Sequence, residues 1–230
     1  MWRRASRRPW HALAVAVACL PLARLAVGAL HDTLGANPIE TIEHATGDWG
    51  LRLLLASLAV TPLRRLAGWS WLAPWRRTLG LLAFAYLCLH FLAWSVLDLG
   101  LDPSALLDDV AKRPYVTVGF ASFLALLPLA VTSTRGWMRR LGRRWVVLHR
   151  AAYVAAIGGV VHYAWLVKAD LRPPLAYAAL LALLLVARWP RRASAPGRAR
   201  QLRSSFKPSA ERKTPSTSIG ASQGSPRSSR

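Results

Sequence analysis

The amino-acid sequence predicts an all-α polytopic membrane protein: a bundle of six transmembrane helices followed by a disordered, basic C-terminal tail. Three observations predict this fold class. Of the 230 residues, 53% are hydrophobic and only 18% are charged, whereas soluble domains usually have about a quarter of their residues charged. The apolar residues form long runs, and clusters of arginine separate these runs. The formal net charge of +21 does not indicate nucleic-acid binding, because the basic residues do not interleave with a polar surface.

Each of six apolar runs has about the 20 residues that a helix needs to cross a bilayer. They are rich in Leu and Ala and lack the alternation of a membrane barrel, so they predict helices and not strands. No internal repeat is evident. The runs cover residues 10–30, 49–67, 78–97, 115–132, 145–167 and 173–189. The predicted organisation is a cytoplasmic N-terminus at 1–9, a six-helix domain at 10–190 and a basic tail at 191–230.

The distribution of charge predicts the orientation of these spans. If six spans alternate, the arginine-rich segments at 3–8, 64–77, 135–144 and after 190 share one side, and nine of the ten acidic residues share the other. The positive-inside rule assigns the arginine side to the cytoplasm, so both termini are expected there. A cleaved signal peptide is the alternative for the first run. The run continues past Cys19 to Leu30, which is longer than a signal core.

Residues 191–230 are rich in Arg, Ser, Pro and Gly, and Phe206 is their only aromatic residue. Such a segment buries too little apolar area to fold, so we predict a disordered cytoplasmic tail. Adhesion to anionic lipid is a weaker functional interpretation. A segment of this length cannot form a nucleotide- or flavin-binding domain.

Two histidines lie inside apolar runs at similar predicted depth. His90 precedes Asp98 by eight residues, and His162 precedes Lys168 by six and follows Arg144 by eighteen. At the rise of an α-helix, His90 lies about 12 Å and His162 about 9 Å below the outer boundary. Ionisable side chains at such depth usually mark function. Two imidazoles from neighbouring helices can bind one haem iron from opposite faces, and we predict this role for the pair. A hydrogen bond between helices is the alternative.

A third histidine, His149, lies near the predicted cytoplasmic end, about 20 Å from His162 along the helix. The two cannot bind the same iron, so His149 is a candidate for a second haem-linked centre. The residues thirteen and fourteen before His90 are Arg77 and Arg76, and no second histidine is evident there. Hydrogen bonding at the interface is the alternative for His149. We expect solvated roles for the other histidines, which are His11, His31 and His44.

Three arginines, Arg24, Arg52 and Arg150, fall within or at the ends of apolar runs. Haem propionates are anionic and suit the guanidinium fork, so these arginines are candidate propionate partners. Snorkelling towards lipid headgroups explains them equally well. The two cysteines, Cys19 and Cys88, offer neither a disulfide framework nor a Cys-x-x-Cys metal site.

Nine short motifs occur in order along residues 10–190. They are NPIE at 37–40, HATGDW at 44–49, TPLRR at 61–65, RRTLG at 76–80, KRPY at 112–115, PLAVTS at 128–133, RLG at 140–142, LHR at 148–150 and HYAW at 162–165. As an ordered set they resemble the haem-binding membrane subunit of the bacterial periplasmic protein-methionine-sulfoxide reductase system, within the wider ferric-reductase-like transmembrane group. The long basic tail departs from that family.

The resemblance implies a function. Such a subunit would pass electrons from quinol of the respiratory chain, through haem b, to a periplasmic molybdopterin-containing catalytic subunit that reduces methionine sulfoxide in oxidised envelope proteins. It implies one haem b or two, FMN, a place in the bacterial cell inner membrane among its lipids, and no nucleic-acid partner. By motif position it makes His90, His149 and His162 haem-linked. The sequence does not locate an FMN or quinone site. It shows no constellation for substrate chemistry, so we expect an electron-transfer subunit and not the enzyme itself.

Two other functions stay open. A ferric-reductase or oxidase-type cytochrome would need a separate cytoplasmic flavin reductase, because the chain has no Gly-rich βαβ pattern of its own. A haem-free transporter or scaffold would leave the paired histidines unexplained.

Overall fold

The computed structural model describes residues 9–167 and 170–188, and within them all regular structure is helical. The helices are α1 (Pro9–Leu30), α2 (Pro38–Leu66), α3 (Trp75–Leu92), α4 (Pro103–Lys112), α5 (Pro114–Val131), α6 (Arg135–Leu141), α7 (Arg143–Leu148), α8 (Ala151–Leu166) and α9 (Arg172–Arg188). A short 3₁₀ turn at Ser70–Leu72 precedes α3. The predicted cytoplasmic N-terminus up to residue 8 and the predicted tail at 191–230 lie outside the described residues.

Within the described residues, five of the six predicted apolar runs each fall on one continuous helical segment, whereas the run at 145–167 covers α7, a turn at residues 149–150 and α8. The all-α prediction is confirmed for the described residues. Judged by length and composition alone, three helical segments there can cross a membrane: Ser70–Asp98, Pro114–Val131 and Arg143–Leu166. The apolar part of α1, Val15–Leu30, is shorter. The C-terminal turn of α2 carries Arg64 and Arg65, and α9 has 17 residues. The count of six spans therefore stays a prediction.

Local signals set the helix starts. The Asn37 side chain accepts a hydrogen bond from the Glu40 backbone N–H at 3.3 Å, and Pro38 occupies the first turn of α2. Asp102 caps α4 in the same way through the Ser104 N–H at 2.9 Å. A side-chain acceptor satisfies one of the free N–H groups at a helix start, and proline is tolerated there. Helix α2 therefore begins eleven residues before its apolar run.

The core lies where α2, α3, α5, α8 and α9 meet. Its buried apolar side chains include Leu55 and Leu58 of α2, Tyr86 of α3, Ala156 of α8 and Leu181 of α9. Small residues on α8 allow close packing, as is common between membrane helices. Many large apolar side chains point outward instead, among them Val186 at 71% exposed. An outward apolar surface of this kind suits lipid and not water.

Polar contacts attach α9 to its neighbours at both ends. At one end the Tyr177 hydroxyl donates to Asp48 at 2.6 Å and accepts from the Nε of Arg52 at 2.8 Å. At the other end the Arg188 guanidinium donates to the Leu58 carbonyl and to the Tyr153 hydroxyl. These contacts connect α9 to α2 and α8, which surround the core.

Helix α3 continues into a π-helical turn at Ala93–Asp98, three residues after His90. The Leu99 N–H bonds to the Trp94 carbonyl at 3.1 Å, which widens the helix by one residue. The Trp94 indole N–H donates to Asp109 of α4 at 3.1 Å. The turn thus joins the end of α3 to α4.

Candidate functional site

A cavity of about 630 Å³ lies between α2, α3, α5 and α8. Its volume falls in the range of pockets that hold cofactors and other small molecules. Most of its wall is apolar, and Leu51, Leu87, Phe91 and Phe123 contribute to it. Both His90 and His162 line it, so the structure brings together the two histidines that the sequence pairs.

The His90 ring is fixed by a hydrogen bond to the neighbouring helix. Its Nδ1 lies 2.9 Å from the Glu43 carbonyl oxygen of α2. Since a carbonyl only accepts, Nδ1 must carry the proton and donate. In the neutral ring the Nε2 then keeps its lone pair, which is the form in which imidazole binds a metal.

The His162 ring is held in the same way on the other side of the cavity. Its Nδ1 lies 2.7 Å from the Tyr115 carbonyl oxygen of α5. This bond again assigns the proton to Nδ1 and leaves Nε2 as the free ligand atom. Hydrogen bonding of the second nitrogen is the usual way in which a metal-binding histidine is oriented.

The distance between the two rings fits one iron between them. Their centroids are 6.3 Å apart, and their planes differ by 70°. Metal–imidazole bonds of about 2 Å, plus the half-width of each ring, separate two opposed ligand rings by about 6 Å. The angle between the planes is free, because each ring can rotate about its own metal–nitrogen bond. The residues present therefore fit a haem with two histidine ligands.

Aromatic side chains form one wall of the cavity. The Phe91 ring lies 5.0 Å from Phe123 and 6.0 Å from Phe120, nearly parallel to Phe123. The Trp94 ring lies next to Phe91 at 5.8 Å between centroids and is tilted by 56° from it. Flat apolar faces of this kind can pack against a planar macrocycle and exclude water from it.

Four carboxylates belong to the cavity lining, and the part of the lining that contains them is called the acidic rim: Glu43, Asp48, Asp98 and Asp109. Burial, together with the nearby carboxylates of Asp98, Glu40 and Asp109, raises the pKa of the Glu43 side chain to about 7. Asp109 is only 9% exposed and pairs with Arg113 at 3.0 Å. His44, for which the sequence predicts a solvated role, is exposed and also lines the rim.

The structure does not bring the three sequence-predicted propionate arginines to this cavity. Arg24 and Arg150 are exposed, and Arg52 forms an ion pair with Asp48 at 2.6 Å. Among the described residues that line the cavity, the only Lys or Arg is Arg113. Sequence reasoning missed it, because it precedes an apolar run instead of lying inside one. Its place in the KRPY motif, directly before Pro114 and Tyr115, was the available signal.

His149 lies away from this cavity, at the junction of α7 and α8. Its Nδ1 is 3.1 Å from the Trp145 carbonyl oxygen, and its ring stacks on the Trp145 indole at 3.8 Å between centroids. Its Nε2 is buried without a hydrogen-bond partner in the described residues. A buried nitrogen in this state is destabilising unless something binds it. The geometry therefore fits a ligand position separate from the pair.

This helical bundle defines a class of protein. The family model described as "Ferric reductase like transmembrane component" matches residues 46–160, which contain most of α2, all of α3 to α7 and the start of α8. The match includes His90 and His149 and ends two residues before His162.

Curated relatives identify the family within that class. Each of the following is named a protein-methionine-sulfoxide reductase heme-binding subunit, MsrQ. The protein of Herminiimonas arsenicoxydans is 51% identical over 74% of this chain and 80% of its own length. The protein of Rhodospirillum rubrum is 53% identical over 76% of this chain and 86% of its own length. The protein of Xanthomonas axonopodis pv. citri is 52% identical over 67% of this chain and 71% of its own length. The chain belongs to this MsrQ family, which confirms the resemblance found in the sequence. No solved structure matches the chain.

Proposed function

We propose that this chain is a haem b electron-transfer subunit of a methionine sulfoxide reductase system. It would take electrons from the quinone pool and pass them to a periplasmic molybdopterin-containing subunit, which reduces methionine sulfoxide in oxidised envelope proteins. One observation carries the proposal. Two imidazoles face one cavity with centroids 6.3 Å apart, and in each the Nδ1 is engaged by a carbonyl.

The residues of the cavity would hold the haem in distinct ways. His90 and His162 would hold the iron through Nε2, and Phe91 and Phe123 would supply apolar contacts to the haem. Arg113, at the rim, would pair with a propionate. A haem with two histidine ligands exchanges single electrons without binding substrate at the iron. The protein's own contribution is to keep both rings neutral, fixed in orientation and shielded from water.

Reduction of the sulfoxide is assigned to the partner subunit. The curated relatives are named as heme-binding subunits of a reductase. We therefore propose electron delivery, and not substrate chemistry, as the role of this chain.

The proposed topology has six spans in the bacterial inner membrane, with both termini in the cytoplasm. In that arrangement His90 and His162 lie in the periplasmic half, and the acidic rim of the cavity faces the periplasm. Electrons leaving this haem would have a short path to a periplasmic partner.

Two further parts of the electron path have weaker support. The buried Nε2 of His149, without a partner in the described residues, supports a second haem-linked centre on the cytoplasmic side. FMN and quinol are carried over from the family resemblance alone.

The test is a measurement of haem and flavin stoichiometry on the detergent-purified protein. We expect a Soret band that shifts on dithionite reduction and does not change with carbon monoxide, since both axial positions are filled. His90→Ala or His162→Ala should each produce a haem that binds carbon monoxide, and the double variant should lose the haem of this cavity. His31→Ala, an exposed histidine outside the cavity, is the control. Unchanged haem content in the double variant would refute the proposal.

The electron path is tested with the partner present. In proteoliposomes supplied with a reduced quinone, we expect the haem to be reduced and then reoxidised when the catalytic subunit and an oxidised methionine-containing protein are added. Reduction of the haem without reoxidation would argue against this partner.

The match to the ferric-reductase-like family model favours one alternative function. In that case a separate cytoplasmic flavin reductase would feed electrons to the chain, and the acceptor would be a ferric chelate or oxygen. Rapid reduction of a ferric chelate by the haem protein, with no response to the methionine sulfoxide partner, would support it.

A further inference from the structure

Each of the two cavity histidines lies directly against a glycine of the neighbouring helix. His90 of α3 packs on Gly47 of α2, and His162 of α8 packs on Gly119 of α5. The carbonyl that accepts from each ring belongs to the residue four positions before that glycine, Glu43 in one case and Tyr115 in the other. The two half-sites therefore have the same local construction.

The spacing along the chain is also the same. The accepting carbonyl and the histidine are 47 residues apart in both half-sites. The residues around the two sites differ, which is why the sequence shows no repeat. The structure thus contains a twofold repetition of geometry, a carbonyl, a glycine and a histidine at fixed intervals, that residue identity does not reveal.

Helix geometry explains why the fourth residue has no side chain. In an α-helix the side chain of a residue lies over the turn that precedes it, and therefore over the carbonyl four positions earlier. A glycine at that position leaves the carbonyl open to a donor from the side. An imidazole from another helix can then approach the backbone closely enough for its Nδ1 to reach the oxygen.

The distances show how little space is left. A Cβ atom added to Gly119 would lie 2.7 Å from Nδ1 and 2.9 Å from Cγ of His162. A Cβ atom added to Gly47 would lie 3.1 Å from Nδ1 and 3.2 Å from Cε1 of His90. Favourable contacts between heavy atoms need about 3.5–4.0 Å. Glycine also weakens a helix relative to alanine, so its presence at both positions needs a local reason.

We propose that Gly47 and Gly119 are positioning residues for the haem ligands: each leaves a backbone carbonyl open, and that carbonyl fixes the proton and the orientation of one axial histidine. The inference deepens the proposed function and depends on it. A methyl group at either position would push the ring away, lengthen the bond from Nδ1 to the carbonyl and turn Nε2 off the iron axis. Outer hydrogen bonds of this type set both the orientation and the basicity of a histidine ligand.

The test compares Gly47→Ala and Gly119→Ala with Gly80→Ala. Gly80 is a matched control because it lies on α3 with His90, and a Cβ atom there would meet only the Ser57 hydroxyl at 3.9 Å. We expect haem affinity to fall by about 10–100-fold in the two site variants, as when other outer hydrogen bonds to histidine ligands are disturbed. The effect should be larger for Gly119→Ala, where the added atom comes closer to the ring.

The readouts are spectroscopic and need no turnover. The reduced site variants should bind carbon monoxide, and their low-spin electron paramagnetic resonance signals should shift or weaken. Gly80→Ala should match the wild type in both respects. Far-ultraviolet circular dichroism and size-exclusion chromatography in detergent check the fold. If Gly119→Ala does not fold, Gly47→Ala carries the test because its neighbour needs to move by only a few tenths of an ångström.

The possible results separate the two proposals. A wild-type protein that contains no haem would refute the proposed function and this inference with it. A haem-containing wild type whose two glycine variants keep wild-type spectra and carbon monoxide insensitivity would overturn the inference alone. Loss of the fold in both variants would overturn it as well, because it would assign the glycines to helix packing and not to the ligands.

Discussion

The substitution Arg113→Gln should weaken haem binding, whereas Arg52→Gln should not. Arg113 lines the cavity, and its guanidinium uses Nε for Asp109 at 3.0 Å. Arg52 lies outside the cavity lining and is committed to Asp48 at 2.6 Å and to the Tyr177 hydroxyl at 2.8 Å. A propionate entering the cavity would therefore meet Arg113 and not Arg52.

The size of the effect follows from the type of bond that is lost. A hydrogen bond to a charged group contributes about 1.5–3 kcal/mol, and each 1.4 kcal/mol is about a tenfold change in affinity. The Arg113 side chain is 55% exposed, so solvent screening places the effect at the lower end of that range. We expect about a tenfold increase in the rate at which haem is transferred to an excess of apomyoglobin, and a lower midpoint potential because a positive charge is removed.

A control addresses the carboxylate that Arg113→Gln leaves behind. Asp109 is only 9% exposed, and an unpaired buried carboxylate would disturb the rim by itself. The double variant Asp109→Asn, Arg113→Gln removes both charges and should retain the haem defect. If haem transfer accelerates in Arg52→Gln and stays at the wild-type rate in Arg113→Gln, the assignment of the propionate to Arg113 is wrong.

The remaining predictions concern packing, the attachment of α9 and the second centre. Gly158→Ala should lower thermal stability in detergent by about 1–3 kcal/mol through overpacking, because its Cβ would overlap the Ser122 hydroxyl; Ser122→Ala in the same chain should restore most of the loss. Tyr177→Phe should destabilise the protein by about 1–3 kcal/mol by removing hydrogen bonds to charged groups, with no effect on the Soret band; equal stability in a thermal melt would contradict this. His149→Ala should leave the Soret band of the haem at His90 and His162 unchanged. It should remove the second haem proposed at His149, measured as moles of haem per mole of protein.

Much of the fold follows from local sequence. Hydropathy decides whether a stretch can be a membrane helix, so the apolar runs lie in the helical parts of the structure, although the run at 145–167 is divided by a turn between α7 and α8. The rise per residue fixes depth, and for that reason the sequence could pair His90 with His162 before any contact was known. Helix starts were harder to predict: the cap at Asn37 lengthens α2 well beyond its apolar run, and α4 forms outside all six runs.

The contacts within the site required the structure. Gly47 and Gly119 are ordinary helix residues in sequence, and their role depends on which helix packs against them. Arg113 lies between α4 and α5, and it lines the cavity only because these two helices pack beside it. Arg52 was a propionate candidate because it lies in an apolar run, but that position does not reveal that its guanidinium binds Asp48 of α2 and Tyr177 of α9.

The π-helical turn at Ala93–Asp98 changes the direction in which the side chains after it point, relative to those before it. An α-helix advances by about 100° per residue, so the one additional residue in the wide turn rotates every later side chain relative to His90. Asp98, the last residue of the turn, lines the same cavity as His90 in this arrangement. Deleting one residue from this segment would convert it to regular α-helix. The residues after the deletion would then turn away from the cavity, whereas His90 would keep its position. The part of the cavity lining that follows the turn can thus change during evolution without moving His90.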